Sequence, residues 1–120
     1  MHRDVEDLSN DDVQWHGTAE GLHAAWATDR ARRLAAMNPE AIVPELITAL
    51  SDAEKFAAAH ALLTSLTGVQ YTAFPSWNGL RVDIGVDGHA TIDPAQRHGL
   101  ARRWQHWRDT IPRPSALAAE

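Results

Sequence analysis

The sequence predicts an α+β fold with three or four helices and a small antiparallel sheet between residues 69 and 93. Two consecutive runs between residues 39 and 67 place apolar residues at helical spacing. Residues 80–86 instead alternate apolar and polar side chains, as half-buried strands do. A third helical stripe follows over residues 94–110. A chain of 120 residues is expected to form one domain with a core of its own.

Composition excludes several kinds of chemistry. The chain has no cysteine, which removes disulfides, thiolate metal sites and cysteine nucleophiles. Ten arginines against one lysine, with abundant alanine, indicate a GC-rich coding bias, so we expect a bacterial protein. The N-terminal residues contain no apolar run, and no window approaches 18 apolar residues. We therefore expect no secretory signal, no membrane span and a cytoplasmic location.

The chain is predicted to divide into an acidic flexible arm (1–14), one α+β domain (15–112) and a flexible tail (113–120). The arm is polar and has little to bury. Charge is unevenly distributed, because residues 1–28 hold one arginine and six carboxylates while residues 94–113 hold five arginines and one carboxylate. This asymmetry indicates either a partner surface or an arm that lies near the basic helix of its own molecule. We favour the second interpretation.

The first helix is predicted from Thr18 to Met37. Leu22 and Trp26 share one arc of a helical wheel with Met37, although charged residues fall beside them. Asp29 and Arg33 have the i,i+4 spacing of a surface ion pair. The apolar face is incomplete, so this helix either lies at the edge of the core or contacts another protein, and we favour the first interpretation.

Two further helices are predicted to form an antiparallel helical hairpin. Asn38-Pro39 is a helix-start signal, with a capping side chain followed by a first-turn proline. Pro44 interrupts the pattern, so either the first turn is irregular or the helix begins near Val43. Ser51–Glu54 has the sequence of a capping box for the second helix. Gly68 stands where a left-handed residue ends a helix.

A β-element and a last helix complete the chain. Residues 69–74 are a possible short strand, and Asp87-Gly88 is a strong turn signal between residues 80–86 and a return strand over 89–93. Four apolar residues should share one face of the first of these strands: Leu80, Val82, Ile84 and Val86. The last helix is predicted over residues 94–110, capped by Asp93, and its two tryptophans should cover this face.

Residues 41–68 resemble a single HEAT-type helical repeat. The matching residues are Pro44, Leu46, Ile47, Leu50, Asp52, Phe56, Ala58, Ala59 and Leu62. Ala57 stands where the repeat pattern has a basic residue, and no second copy is visible at a spacing of roughly 40 residues. The resemblance implies a scaffold or binding surface instead of a catalyst.

No residue pattern indicates catalysis, a metal or a cofactor. His98 and His106 are separated by about 12 Å along one helix, which is too far to share an ion. The sequence contains no GxSxG, P-loop or GxGxxG motif. Carboxylates cluster in the predicted arm, which is a poor place for general acid–base geometry. We therefore expect a protein that is not an enzyme.

The leading hypothesis is a protein-interaction module, either a small adaptor or an inhibitor-like scaffold, that presents a preformed surface. Trp77 lies in a turn, where it either anchors an interface or folds back over the sheet. The candidate partner-binding residues are Trp77, Arg81, Tyr71, Arg103 and Arg108. A homodimer is compatible with this hypothesis.

The alternative hypothesis is weak nucleic-acid binding by the basic C-terminal helix. Arg102, Arg103, Trp107 and Arg108 would contact phosphates and bases. The arginines do not form one stripe, and the sequence pI of about 5.7 opposes phosphate binding. Nucleic acid is therefore the less favoured partner.

Overall fold

The structure is a computed structural model, and it describes residues 3–18, 21–69, 77–86 and 90–110. The helices and strands in chain order are α1 (Arg3–Glu6), a 3-10 turn (Asn10–Asp12), β1 (Val13–Thr18), β2 (Gly21–Trp26), α2 (Asp29–Ala35), α3 (Pro39–Ala49), α4 (Phe56–Thr67), β3 (Asp83–Ile84), β4 (Ala90–Thr91) and α5 (Gln96–Thr110). β1 pairs antiparallel with β2, and β3 pairs antiparallel with β4. The predicted α+β class is confirmed.

Helix α4 is the centre of the molecule. Every residue from Phe56 to Thr64 is buried. A helix that is apolar on all sides must be surrounded by other elements. Here α2, α3, α5, β1 and the 3-10 turn all contact it. The predicted contact between the two central helices is therefore present, and α4 also supports the strand elements.

Three local helix signals are confirmed. The Asn38 side chain accepts a hydrogen bond from the Glu40 N–H, and Pro39 is the first residue of α3. Gly68 ends α4 in the left-handed conformation, with φ of 73°. The helix passes through Pro44 instead of starting at Val43, so the early proline lies inside α3.

The predicted capping box at Ser51–Glu54 is wrong. Helix α4 begins at Phe56, and no side-chain cap comes from its own N-terminal neighbour Lys55. The cap comes from Asn10, whose Oδ1 accepts from the N–H groups of Ala57 at 2.9 Å and Ala58 at 3.4 Å. A distant amide thus satisfies donors that a local hydroxyl is usually expected to satisfy.

Other contacts attach the N-terminal segment to the same end of α4. Asn10 Nδ2 donates to the Ala53 carbonyl at 2.9 Å, and Lys55 Nζ donates to the carbonyls of Val5 and Glu6. Val5 and Leu8 are buried in the core. The prediction that residues 1–14 have little to bury is therefore wrong for this segment. Val5 and Leu8 are isolated apolar residues among charged ones, so the sequence of this segment shows no helical or strand periodicity.

Asp12 joins this segment to α2. Its carboxylate is only 2% exposed, accepts from Arg30 Nε at 3.1 Å and Nη2 at 3.2 Å, and accepts from the Thr28 hydroxyl at 3.0 Å. Burial raises the pKa of Asp12, but the hydrogen bonds from Arg30, the Ser9 N–H and Thr28 together hold it below its ordinary value. An ion pair between Asp4 and Arg33 adds a second link to α2.

The predicted helix from Thr18 to Met37 is wrong over its first half. β1 and β2 form a hairpin, and the helix α2 begins only after Thr28, whose hydroxyl accepts from the Ala31 N–H. Val13 and Trp15 face the core, while Gln14 and His16 are exposed. The alternation is that of a strand, but the connecting Ala-Glu lacks the glycine or asparagine of a strong hairpin turn.

The β3–β4 pairing confirms the predicted hairpin in part. Ile84 is opposite Ala90, and Asp83 is opposite Thr91. Leu80 and Val82 are buried, but Ile84 is 36% exposed and Val86 is fully exposed. The pairing is short, and the chain leaves the core after Val82, so the predicted apolar face is buried only over its first half. The turn at 87–88, the tail at 113–120 and most of the strand at 69–74 lie outside the described residues.

Helix α5 is tied to the strand region by Gln96. Its side-chain amide accepts from the Arg81 N–H at 2.8 Å and donates to the Arg81 carbonyl at 3.0 Å, as a neighbouring strand would. Asp93 accepts from the Ala95 N–H, as the predicted cap requires. The helix itself starts at Gln96, two residues later than predicted, and buries Leu100 and Trp104.

We predict that Asn10→Ala lowers the free energy of unfolding by about 1–2 kcal/mol, because it removes the cap of α4. Asn10→Asp should lose less, since it keeps the acceptor for Ala57 and Ala58 and loses only the donor to Ala53. Urea denaturation at neutral pH measures both variants. Equal stability of wild type and Asn10→Ala would show that solvent replaces this cap.

Candidate functional site

Five aromatic residues form a continuous edge-to-face row through the core, which we call the aromatic row. They are Trp15, Trp77, His60, Trp104 and Trp107, and the successive ring centroids lie 5.3, 5.6, 5.9 and 5.5 Å apart. The row runs from β1 through the 77–80 turn and α4 to α5. Edge-to-face pairs at these distances stabilise beyond the area that they bury. The row therefore fixes β1 relative to both long helices.

His60 is the polar centre of the aromatic row. Trp104 Nε1 donates to His60 Nδ1 at 2.9 Å, so Nδ1 carries no proton. His60 Nε2 lies 3.3 Å from the Trp77 carbonyl and must donate to it. Burial lowers the pKa of His60 to about 4, against hydrogen bonds to the backbone at Trp77 and Asn78, and the positive charge of Arg103 lowers it further. Both ring nitrogens therefore make hydrogen bonds within the fold, and the imidazole is neutral at physiological pH.

The turn from Trp77 to Leu80 is rigid. Each of its end residues donates its N–H to the carbonyl of the other, at 2.8 and 2.9 Å. Asn78 occupies the left-handed region with φ of 47°, and its Nδ2 donates to Thr64 Oγ1 and to the Val69 carbonyl. Trp77 is therefore held half-buried against Trp15 and His60. Of the two alternatives for this tryptophan, the structure shows the one in which the ring packs on the core.

The structure describes three of the other four candidate partner-binding residues, namely Arg81, Arg103 and Arg108. Arg81 is exposed beside Asp83, with 3.4 Å between Nε and Oδ1. Arg103 lines a pocket of about 290 Å³ that also includes Gly79. Arg108 is half-buried near the end of α5, and Tyr71 lies outside the described residues. Because Arg103 of α5 and Gly79 of the turn line the same pocket, α5 and the turn are adjacent at the surface.

A larger cleft lies beside β1, and four of its lining residues belong to the segment 1–14 that the sequence predicted to be a flexible arm. Its volume is about 500 Å³. The lining residues are Asn10, Asp11, Val13, Gln14, Trp15, His16, Ala90 and Ile92. The cleft thus separates β1 and the 3-10 turn from the chain around β4. The alternation of Val13 to His16 was the only sequence signal for this wall.

Trp15 marks this cleft by an unsatisfied donor. The residue is 7% exposed, and its indole N–H is buried without a hydrogen-bond acceptor in the described part of the chain. Buried polar atoms in native structures nearly always have a partner. Trp104, by contrast, donates its indole N–H to His60. The two tryptophans differ in this respect, and the unsatisfied one is the one beside the cleft.

The described residues contain no group of three histidine, aspartate or glutamate side chains placed to hold a metal ion. The cleft instead offers the indole of Trp15, the imidazole of His16, two amides, one carboxylate and aliphatic groups. Such a set can bind a partner through hydrogen bonds and apolar contact.

Comparison with family models, with curated proteins and with solved structures gives no match for this chain. Among the described residues, no helix has both the length and the apolar character needed to cross a membrane.

We predict a pH-dependent loss of stability caused by His60. Its pKa is 6.5 in the unfolded chain and about 4 in the fold, so between these values the unfolded state binds more protons. The fold has its full stability from this group above pH 6.5, and the free energy of unfolding falls as the pH drops, with a loss of about 3 kcal/mol by pH 4. Urea denaturation from pH 7 to pH 4 should show this loss in wild type.

The control compares His60→Gln with His98→Gln, because His98 is exposed on α5. His98→Gln should follow the wild-type pH profile. His60→Gln should be less stable at pH 7 and should have a flatter profile between pH 6.5 and 4. A profile of His60→Gln as steep as that of wild type would assign the acid sensitivity to other groups.

Proposed function

We propose that this chain is a non-enzymatic, cytoplasmic protein-interaction module that binds a partner in the cleft beside β1. The observation that carries the proposal is the buried indole N–H of Trp15, which lacks an acceptor among the described residues that line this cleft. An unsatisfied buried donor destabilises a fold by about 1–3 kcal/mol. A partner that brings an acceptor recovers this free energy on binding.

The cleft wall is preformed, which supports a binding role. β1 is paired with β2 over its full length, and Trp15 packs edge-to-face on Trp77. Asn10, which also lines the cleft, is held by its hydrogen bonds to the start of α4. A surface that is ordered before binding loses less conformational entropy when the partner arrives.

The HEAT resemblance supports a scaffold role but not a binding surface on the helix pair. In stacked repeats each helix pair exposes part of its surface to a ligand or to the next repeat. Here α4 is enclosed by other elements, so the pair builds the core of a single unit. We therefore place the binding surface on the strands that the pair supports.

The predicted partner-binding residues enter this proposal in different ways. Trp77 supports the ring of Trp15 from behind, so we propose a structural contribution for it. Arg81, Arg103 and Arg108 remain candidates for a separate contact on the side of α5.

Nucleic-acid binding receives less support. Trp104 is fully buried and donates its N–H to His60, so its ring is not available for stacking on a base. Trp107 packs against Trp104 and is half-buried.

We predict that Gln14→Arg weakens partner binding at least tenfold, because it places a long charged side chain in the cleft. Ala25→Arg is the matched control, since Ala25 is the cross-strand neighbour of Gln14, is also exposed, and does not line the cleft. Affinity capture from the source lysate, followed by calorimetry with the purified partner, compares both variants with wild type.

The two arginine variants should have the same melting temperature within a few degrees, because both sites are exposed. A partner that binds Gln14→Arg as tightly as wild type would move the binding surface away from this cleft. Equal loss in both variants would indicate a nonspecific charge effect instead of occupation of the cleft.

A further inference from the structure

Among the described residues, β1 pairs with β2 along one edge and with no strand along the other. The Ala27 N–H donates to the Asp12 carbonyl. Asp12 and Ala27 lie directly next to the first pair of the β1–β2 ladder, Val13 with Trp26. Because hydrogen-bonded and non-bonded pairs alternate in an antiparallel ladder, Gln14 and His16 bond to β2 and Trp15 and Gly17 direct their peptide groups away from it. In the described parts of the chain, the peptide groups of Trp15 and Gly17 have no other backbone partner.

The cleft runs along this edge. A pocket above one face of a strand is lined by alternate residues, since successive side chains point to opposite faces. Four consecutive residues of β1, Val13 to His16, line the cleft. The lining therefore follows the strand edge itself, with Ala90 and Ile92 on the opposite wall.

The edge also lacks the usual protection against pairing. Natural edge strands carry lysine, proline or bulges that prevent a further strand from adding. β1 has none of these over Gln14 to Gly17, and its ladder with β2 is regular. An unprotected edge beside a cleft is a suitable place for an added strand.

We propose that the cleft takes an extended peptide segment of a protein partner, which adds to β1 as a third strand at Trp15 and Gly17. This inference rests on the proposed function and specifies its mode of binding, β-strand addition. The peptide groups of the segment bond to the N–H and C=O groups of Trp15 and Gly17 that point away from β2. A segment of about five residues spans this edge, since a strand rises about 3.3 Å per residue.

The residues that line the cleft indicate which side chains the bound peptide should carry. Asp11 is exposed at one end of the cleft and favours a basic side chain there. Ala90 and Ile92 supply aliphatic surface on the opposite wall. Beyond the lining residues, a β-carbon built on Gly17 lies 3.8 Å from the side chain of Ile84, which is partly exposed. We therefore expect an extended sequence that contains a basic residue and one or two apolar residues.

Gly17→Pro is the variant that tests the strand edge. The N–H of Gly17 lies outside the β1–β2 ladder, so proline removes an edge donor without removing a ladder bond. Gly17→Ala is the matched control, because it keeps the N–H and its β-carbon meets Ile84 at an ordinary contact distance. We expect Gly17→Ala to bind as wild type does and Gly17→Pro to bind at least tenfold more weakly.

The ligand is found by selecting a displayed library of random 12-residue peptides against the full chain. The enriched peptides are then synthesised with single N-methyl groups at each position in turn. Strand addition predicts that methylation at alternate residues weakens binding at least tenfold, while methylation at the residues between them changes it less than twofold. This scan needs no protein variant, so it tests the proposal even where Gly17→Pro fails to fold.

The outcomes separate this inference from the function on which it rests. Peptides that bind wild type, are blocked by Gln14→Arg and tolerate every N-methyl group would overturn strand addition and leave the cleft as the binding surface. Selection that yields no peptide sensitive to Gln14→Arg would overturn both. Sedimentation that shows a dimer broken by Gly17→Pro, but not by Gly17→Ala, would make a second copy of this chain the occupant and overturn the peptide partner.

Discussion

The hydrogen bond between the Trp104 indole and the His60 imidazole is the contact on which the arrangement of the other elements depends. It fixes α5 against α4, and the opposite nitrogen of the same ring binds the backbone of the 77–80 turn. The turn in turn positions Trp77, which packs on Trp15 of β1. Only a neutral histidine can accept on one nitrogen and donate from the other. One buried ring thus joins two helices, a turn and a strand.

The position of the cleft follows from this arrangement. The aromatic row holds Trp15 from one side, and Asn10 anchors the adjoining turn to the N-terminus of α4. β1 is therefore fixed at both ends of the wall that it forms. In the described part of the chain, no strand pairs with the other edge of β1, and β3 and β4 pair with each other over two residues. The core supplies rigidity, and the strands supply unsatisfied hydrogen-bonding groups.

The helices and the sheets differ in the surface that they expose. The helices bury their apolar surface around α4, so they offer little exposed apolar area for a partner. The two short sheets expose edges, polar side chains and a partly exposed Ile84. In the proposed mode of binding, a strand that is held in place loses less conformational entropy when a partner adds to it, and the aromatic row holds β1 through Trp15.

The sequence by itself determined the elements whose signals lie within a few residues of each other. Asn38 and Pro39 start α3, Gly68 ends α4, and the alternation around Ile84 gives a strand that pairs with the chain at Ala90. These signals act through local backbone geometry, so a short window contains their full cause.

Only the tertiary structure decided the remaining features. Asn10 caps a helix that begins 46 residues later in the chain, and Trp104 meets a histidine 44 residues away. The hairpin of β1 and β2 forms because Val13 and Trp15 have a core to face, although their turn residues give no strong local signal. Hydrogen-bond partners that are distant along the chain leave no periodicity in it. The cleft, which is built from such contacts, is therefore visible only once the chain has folded.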